Sequence, residues 1–337
     1  MRRLPLALVL TLTFGLAHAQ APLDLERAAT LAVDVAAGVQ SARLDLATAE
    51  RDLARASADP TTLRVARLQV EHAVARAATA LRSAEATARD GAGSAYTAAL
   101  EADGQLALAE SALEIATTTR EALAIQFEAG AATRLDVDRA EDDRRAAESD
   151  VADAAAARAL AYDRLASLIG ADDADLALER APEPPPLLDL EAYLADLPAN
   201  AQLLAADHQV ALAAAQLAAV DNPLSSAPSD VAAARDRVEA ARLQRDEQER
   251  SLTLLVRQAH NAARSAEARV RAAEAAAASA REEYDVQRVR FEAGSVSALA
   301  LARTERQAVA QEQALTAARH AFAAAIRQLD LTLLGAR

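Results

Sequence analysis

The chain has 337 residues, with 36 basic and 50 acidic side chains and a formal net charge of −14. It contains no cysteine, tryptophan or lysine, while about 97 alanines make up roughly 29% of it, far above ordinary usage. This composition excludes disulfide scaffolds, cysteine-ligated metal sites and lysine chemistry such as Schiff bases. The acidic balance also argues against nucleic acid and gives no attraction to anionic lipid.

The first residues read as an export signal spanning 1–19. Arg2 and Arg3 precede an apolar run from Leu4 to Leu16, and Ala17-His18-Ala19 supplies a small-x-small cleavage pattern. The run is too short to span a bilayer, which takes about 20 apolar residues. No later segment reaches 18 uncharged apolar residues, so none after the signal is expected to cross a membrane.

A first helical repeat is expected over 20–170. From Leu25 to Ala56, apolar positions alternate at spacings of three and four: Val39, Ala42, Leu46, Ala49, Leu53, Ala56. That spacing lays one stripe along a partner helix. Asp59 is a candidate N-cap with Pro60 in the first turn. A second stripe then runs through Leu63, Ala66, Val70, Ala73, Ala77, Ala80 and Ala84 and weakens at Thr87. With no proline between Pro60 and Pro182, this helix can continue to about Glu128, with Gly91 and Gly93 as candidate bends. Seams so rich in alanine let helix axes approach closely but bury little area per turn, so stability must come from length and from several neighbours.

The pattern breaks over 171–199, where Pro182, Pro184, Pro185 and Pro186 make a stiff linker followed by a short helical piece, Leu190 to Ala195. A second repeat is expected over 200–337. Phe127-Glu128-Ala129-Gly130-Ala131-Ala132-Thr133-Arg134-Leu135 recurs in it as Phe291-Glu292-Ala293-Gly294-Ser295-Val296-Ser297-Ala298-Leu299. The same offset lays Val39, Ala42, Leu46 and Leu53 on Leu203, Ala206, Val210 and Leu217, so the chain reads as an internal duplication. Gly130 and Gly294 sit where a helix must stop and reverse, since glycine takes the left-handed cap conformation cheaply. Thr133 and Ser297 can cap the helices that follow. The expected turns, 128–134 and 292–298, close long αα-hairpins whose exposed tips are natural docking points.

The signal, the duplicated halves, the F-E-A-G-x-x-[ST]-x-L turns and the Leu23-Asp24-Leu25-Glu26-Arg27-Ala28 opening resemble the TolC-type outer-membrane efflux family over nearly the whole mature chain. The resemblance implies an all-α architecture of elongated antiparallel hairpins. It implies a homotrimer forming a periplasmic tunnel, engaged at its inner end by a periplasmic adaptor and an inner-membrane transporter. The docking role would fall on Gly130, Thr133 and Leu135, and on Gly294, Ser297 and Leu299. Family members also insert a pair of membrane strands between the first and the long second helix of each repeat. Two strands of about 9–11 residues and a turn need far more than the stretches Ser57 to Thr62 and Asp221 to Ser229 provide. The expectation is a TolC-like helical domain without its barrel, exported to the periplasm or cell envelope.

Other candidates carry little. The histidines His18, His72, His208, His260 and His320 show no ligand spacing, so surface or seam roles are expected. Gly91-Ala92-Gly93-Ser94 follows no strand, and Asp172-Asp173-Ala174-Asp175 lacks the glycine and glutamate of a calcium loop. Asp136 and Asp138 could line a tunnel mouth and favour cations. Their counterparts Ala300 and Ala302 are neutral, which favours an ordinary acidic helix start. No enzyme, cofactor or metal site is expected. The function is read as a conduit or docking element of envelope export, with a barrel-less structural protein of the envelope as the alternative.

Overall fold

The computed structural model describes residues 22–171, 176–221 and 227–335. The expected export signal therefore lies outside the described residues, as does the acidic run 172–175. The described residues form α1 (Leu25–Val35), α2 (Ala37–Ala58), α3 (Arg64–Glu128), α4 (Arg134–Ile169), α5 (Leu190–Ala195), α6 (Ala201–Val220), α7 (Pro228–Glu292) and α8 (Ala298–Leu334). A single 3-10 turn, Leu197–Ala199, follows α5.

Each long helix carries two shorter ones along its length. α2 and α4 pack on α3, and α6 and α8 pack on α7. α3 also touches α6 and α8, which joins the two sets. α3 and α7 have 65 residues each, about 98 Å at 1.5 Å per residue. The offset between the two glycine motifs also separates the starts of α3 and α7, their ends, and the starts of α2 and α6 and of α4 and α8. The chain exposes 21299 Å², whereas a compact monomer of 35.2 kDa exposes about 13,000 Å². Long helices with few neighbours contribute to that excess.

The expected stripe on α2 is there: Val39, Ala42 and Ala49 are buried, and Leu46, Leu53 and Ala56 half-buried. Its helix is interrupted, however. Ala36 leaves the helical region at ψ 118°, ending α1 and starting α2. Asp59 does not begin α3. It ends α2, and its carboxylate accepts from the Thr61 N–H at 2.8 Å and the Thr61 hydroxyl at 2.7 Å. An Asx turn thus wins over an N-cap, as this side chain allows, and α3 starts at Arg64 with Leu63 exposed.

The most buried part of α3 lies beyond the expected stripe. Gly91 and Gly93 lie inside an unbroken α3, and the stretch beginning there is its most buried part: Ala92, Gly93, Ala95, Tyr96, Thr97 and Ala99. Tyr96 packs with Leu23, Ala28 and Ala32 and with Tyr162, Leu165 and Ile169 at the end of α4. In the other half Leu252 and Val256 of α7 pack with Tyr193, Leu197, Leu203 and Leu329. Both cores form a belt midway along the long helices, where the segments 22–24 and 176–199 cross them. Alanine seams leave little volume to fill elsewhere.

The crossing segment is tied by backbone pairing. Leu23 and Leu178 form an isolated parallel bridge, with the Leu23 N–H donating to the Ala177 carbonyl at 2.7 Å and the Glu179 N–H to the Leu23 carbonyl at 3.0 Å. Among the described residues this is the β pairing present, and no strand ladder forms. Finally, α6 holds no run of 18 uncharged apolar residues, the criterion applied to the sequence, but it qualifies on average hydropathy. With a mean hydropathy of 1.4, it is long and apolar enough to cross a membrane by length and composition. Asp207 and His208 interrupt its uncharged run, which hid it from that criterion. Here it packs against α7 and α3.

Candidate functional site: the hairpin tips

At the first tip α3 ends on Glu128, Ala129 caps it, and Gly130 takes φ 75°. The Gly130 N–H donates to the Phe127 carbonyl at 2.9 Å and the Ala131 N–H to the Gln126 carbonyl at 2.7 Å. These two bonds are a Schellman closure, which satisfies the last helical carbonyls and needs a left-handed residue at its centre. The second tip repeats it. Gly294 has φ 71°, its N–H reaches the Phe291 carbonyl at 2.8 Å, and the Ser295 N–H reaches the Arg290 carbonyl at 2.9 Å. A Cβ at either glycine would meet nothing within 4 Å. The requirement is conformational, and the space around both glycines is open.

The next helices start differently. Thr133 and Asp136 form a full capping box: the Asp136 N–H donates to the Thr133 hydroxyl at 3.2 Å, and the Thr133 N–H to the Asp136 carboxylate at 2.9 Å. The hydroxyl and amide of Thr133 hold the Asp136 carboxyl below its ordinary value. Ser297 accepts from the Ala300 N–H at 3.2 Å but has no acidic partner at the third position. Asp138 pairs with Arg134 at 3.4 Å. The two acids considered for a tunnel mouth are therefore engaged in starting α4.

Leu135 is exposed, while Leu299 is half-buried at a 420 Å³ groove between α3 and α8 that it shares with Ile115 and Thr118. The named residues thus gather within each turn. Sequence reasoning missed the apolar side chains on the approach to each glycine. Ile125 is 68% exposed and Phe127 42% in one tip, and Val289 is 61% and Phe291 40% in the other. Both tips therefore expose aromatic and branched side chains at equivalent positions. The recurring Phe-Glu-Ala-Gly match already contained both phenylalanines, and their helix-end position was the signal.

Behind the first tip the hairpin is clamped by charge. Glu141 receives Arg144 at 2.9 Å, Arg120 from α3 at 3.2 Å and Arg145 at 3.3 Å. These partners, the Arg144 hydrogen bond above all, push its carboxyl down to about 2.

The chain matches no protein-family model and no curated protein. Solved structures do match. The outer membrane protein VceC from Vibrio cholerae is 16% identical, over 92% of this chain and 96% of that one, with a TM-score of 0.62. The Campylobacter jejuni CmeC outer membrane channel is 10% identical, over 93% and 86%, with a TM-score of 0.65. A membrane protein from Pseudomonas aeruginosa is 18% identical, over 92% and 90%, with a TM-score of 0.62.

The chain has the TolC-like helical fold. Within that fold its α2–α3 connection is 59–63, with no strand in it, and its α6–α7 connection is 221–227, of which 222–226 lie outside the described residues. Neither is long enough for a pair of membrane strands of about 9–11 residues each. The TolC-like helical part is therefore present without room for the strand pairs at those two connections.

Proposed function

We propose that this TolC-like chain is a conduit or docking element of envelope export, whose two glycine tips engage a periplasmic adaptor coupled to an inner-membrane transporter. The observation that carries the reading is the matched pair of tips. Each has a left-handed glycine, a Schellman closure and an exposed phenylalanine just before the glycine. Gly130, Thr133 and Leu135, with Gly294, Ser297 and Leu299, form the docking surface, and Phe127 and Phe291 add its apolar contacts. The equal spans of the two halves support a tandem duplication. Export of the mature chain to the periplasm follows from the signal read in 1–19.

Side-by-side assembly into a ring, a trimer by resemblance, is supported by apolar side chains left on opposite edges. Leu44 on α2 and Leu160 on α4 are each 70% exposed, and Leu243 and Leu254 on α7 are 59% and 66% exposed. An edge that meets a different edge makes a heterologous contact, which closes into a ring when the rotation permits. A second reading, a structural protein of the envelope without transport, is favoured by the short connections, because such a chain leaves the outer membrane to another component.

Adaptor binding by the Gly130→Pro, Gly294→Pro double variant separates the readings. Proline locks φ at a negative value, opposite in sign to both glycines, and removes the N–H that closes the turn. Binding by the parent and its loss in the variant, at unchanged helical content by circular dichroism, is the expected result. A strictly monomeric parent that binds no periplasmic adaptor would overturn the conduit reading and leave the structural one.

A further inference from the structure

His72 on α3 and His208 on α6 stack face to face, with ring centroids 3.5 Å apart and planes 7° from parallel. They stand in a 540 Å³ cleft between the two helices, whose walls are largely small side chains such as Ala75, Ala80, Ala205 and Ala211. The seam is thin, since Leu203 and Ala215 are the buried residues of α6. A change in one sizeable contact therefore decides whether the helices stay together at this level. We propose that the His72–His208 stack is a pH-sensitive latch joining the long helix of the first half to α6 of the second: neutral rings hold the seam closed, and protonated rings force it open.

The surroundings set the direction. Two imidazolium rings at this separation repel in a partly desolvated cleft, where like charges interact more strongly than in water. Burial holds both rings below the ordinary histidine value, and for His72 the charge of His208 adds to it. The charged groups facing the pair are Glu71 and Arg76 on α3 and Asp207 on α6. Glu71 favours protonation of His208 and Arg76 opposes that of His72. Asp207 is engaged at 2.9 Å by Arg245 of α7, so its charge is committed elsewhere. The closed seam therefore belongs to neutral pH and the open one to mildly acidic pH. Opening widens the cleft and frees the apolar surface of α6.

The chain has no cysteine, so Gln69→Cys and Gln216→Cys, both at exposed positions on the two helices, take spin labels cleanly. The distance between the labels is measured in the full chain from about pH 8 to about pH 5, across the histidine range. The expected result is a reversible lengthening as the pH falls below the ordinary histidine value, absent from a His72→Phe, His208→Phe variant, in which two uncharged rings can still stack. The milder His72→Gln variant, with helical content checked by circular dichroism, serves if the double variant does not fold. A distance that ignores pH in the parent, or a pH response that persists in the variants, would overturn the latch.

Discussion

Tyr96 and His260 occupy equivalent places in the two halves, and each reaches from the middle of a 65-residue helix to a backbone carbonyl of the chain crossing it. The Tyr96 hydroxyl lies 2.7 Å from the Leu23 carbonyl oxygen and 2.6 Å from that of Glu179. His260 Nε2 lies 3.1 Å from the Leu188 carbonyl, which fixes the proton on that nitrogen because a carbonyl only accepts. Two unlike side chains thus do one job, tying the crossing segments down where the cores form. Tyr193 meets the His260 ring edge-on at 5.9 Å and completes the second anchor.

Removing the Tyr96 hydroxyl takes this donor from the Glu179 carbonyl, while the Leu23 carbonyl keeps the Glu179 N–H. Tyr96→Phe is expected to lower stability by about 1–2 kcal/mol, read by urea denaturation. Hydrogen exchange should accelerate at the amides of Leu23 and Glu179 while the tips stay unchanged. Unaltered exchange there would remove the anchoring role.

The same hydroxyl gives a pH signature. Burial pushes Tyr96 up to about 12, and burial together with the Asp103 carboxylate does the same for Tyr162. A folded value above the unfolded one means that the unfolded chain loses these protons first. Their contribution to stability is therefore complete below about pH 10 and is lost as the pH rises towards about 12. Phenolate absorbance should show a delayed fraction that is reduced in Tyr96→Phe. A single transition near the ordinary tyrosine value would contradict the buried placement.

Glycines on one hairpin should respond with opposite signs. Gly91 lies in the interior of α3 with open space around it, so Gly91→Ala is expected to stabilise by about 0.5–1 kcal/mol. Gly130 has equal space but φ 75°, and Gly130→Ala is expected to cost about 1 kcal/mol through backbone strain. Thermal melts of the two variants, compared with the parent, check both.

Asn200 is fully buried and joins three elements. Its Oδ1 accepts from the Gln202 N–H at 2.8 Å, capping α6, while Nδ2 donates to the carbonyls of Thr332 at 3.1 Å and Leu333 at 2.9 Å. Asn200→Ala loses the cap and leaves two carbonyls at the end of α8 without this donor. About 2–3 kcal/mol of destabilisation is expected, measured by urea denaturation. A loss no larger than an ordinary exposed cap would show that the α8 contact is dispensable.

The helices, their reversal at Gly130 and Gly294 and the short piece Leu190–Ala195 were legible because each depends on neighbours a few residues away. Periodicity, a left-handed glycine and a capping threonine act locally, and the lack of room for membrane strands is a matter of counting residues between helices. Other features were decided only when helices met. The break at Ala36 has no local signal, yet it falls where Asn200 caps the matching helix of the other half. Asp59 had two turn geometries open to it, and Thr61 took the carboxylate. The buried stretch at Ala92–Ala99 escaped the heptad reading because alanine, glycine and one tyrosine look unremarkable until a crossing segment lies over them. His72 and His208 are far apart in sequence, and their stacking depends on which faces α3 and α6 turn to each other. Local chemistry determines where each helix starts and stops, whereas rotation and neighbour choice come from burying enough area on seams that alanine leaves thin.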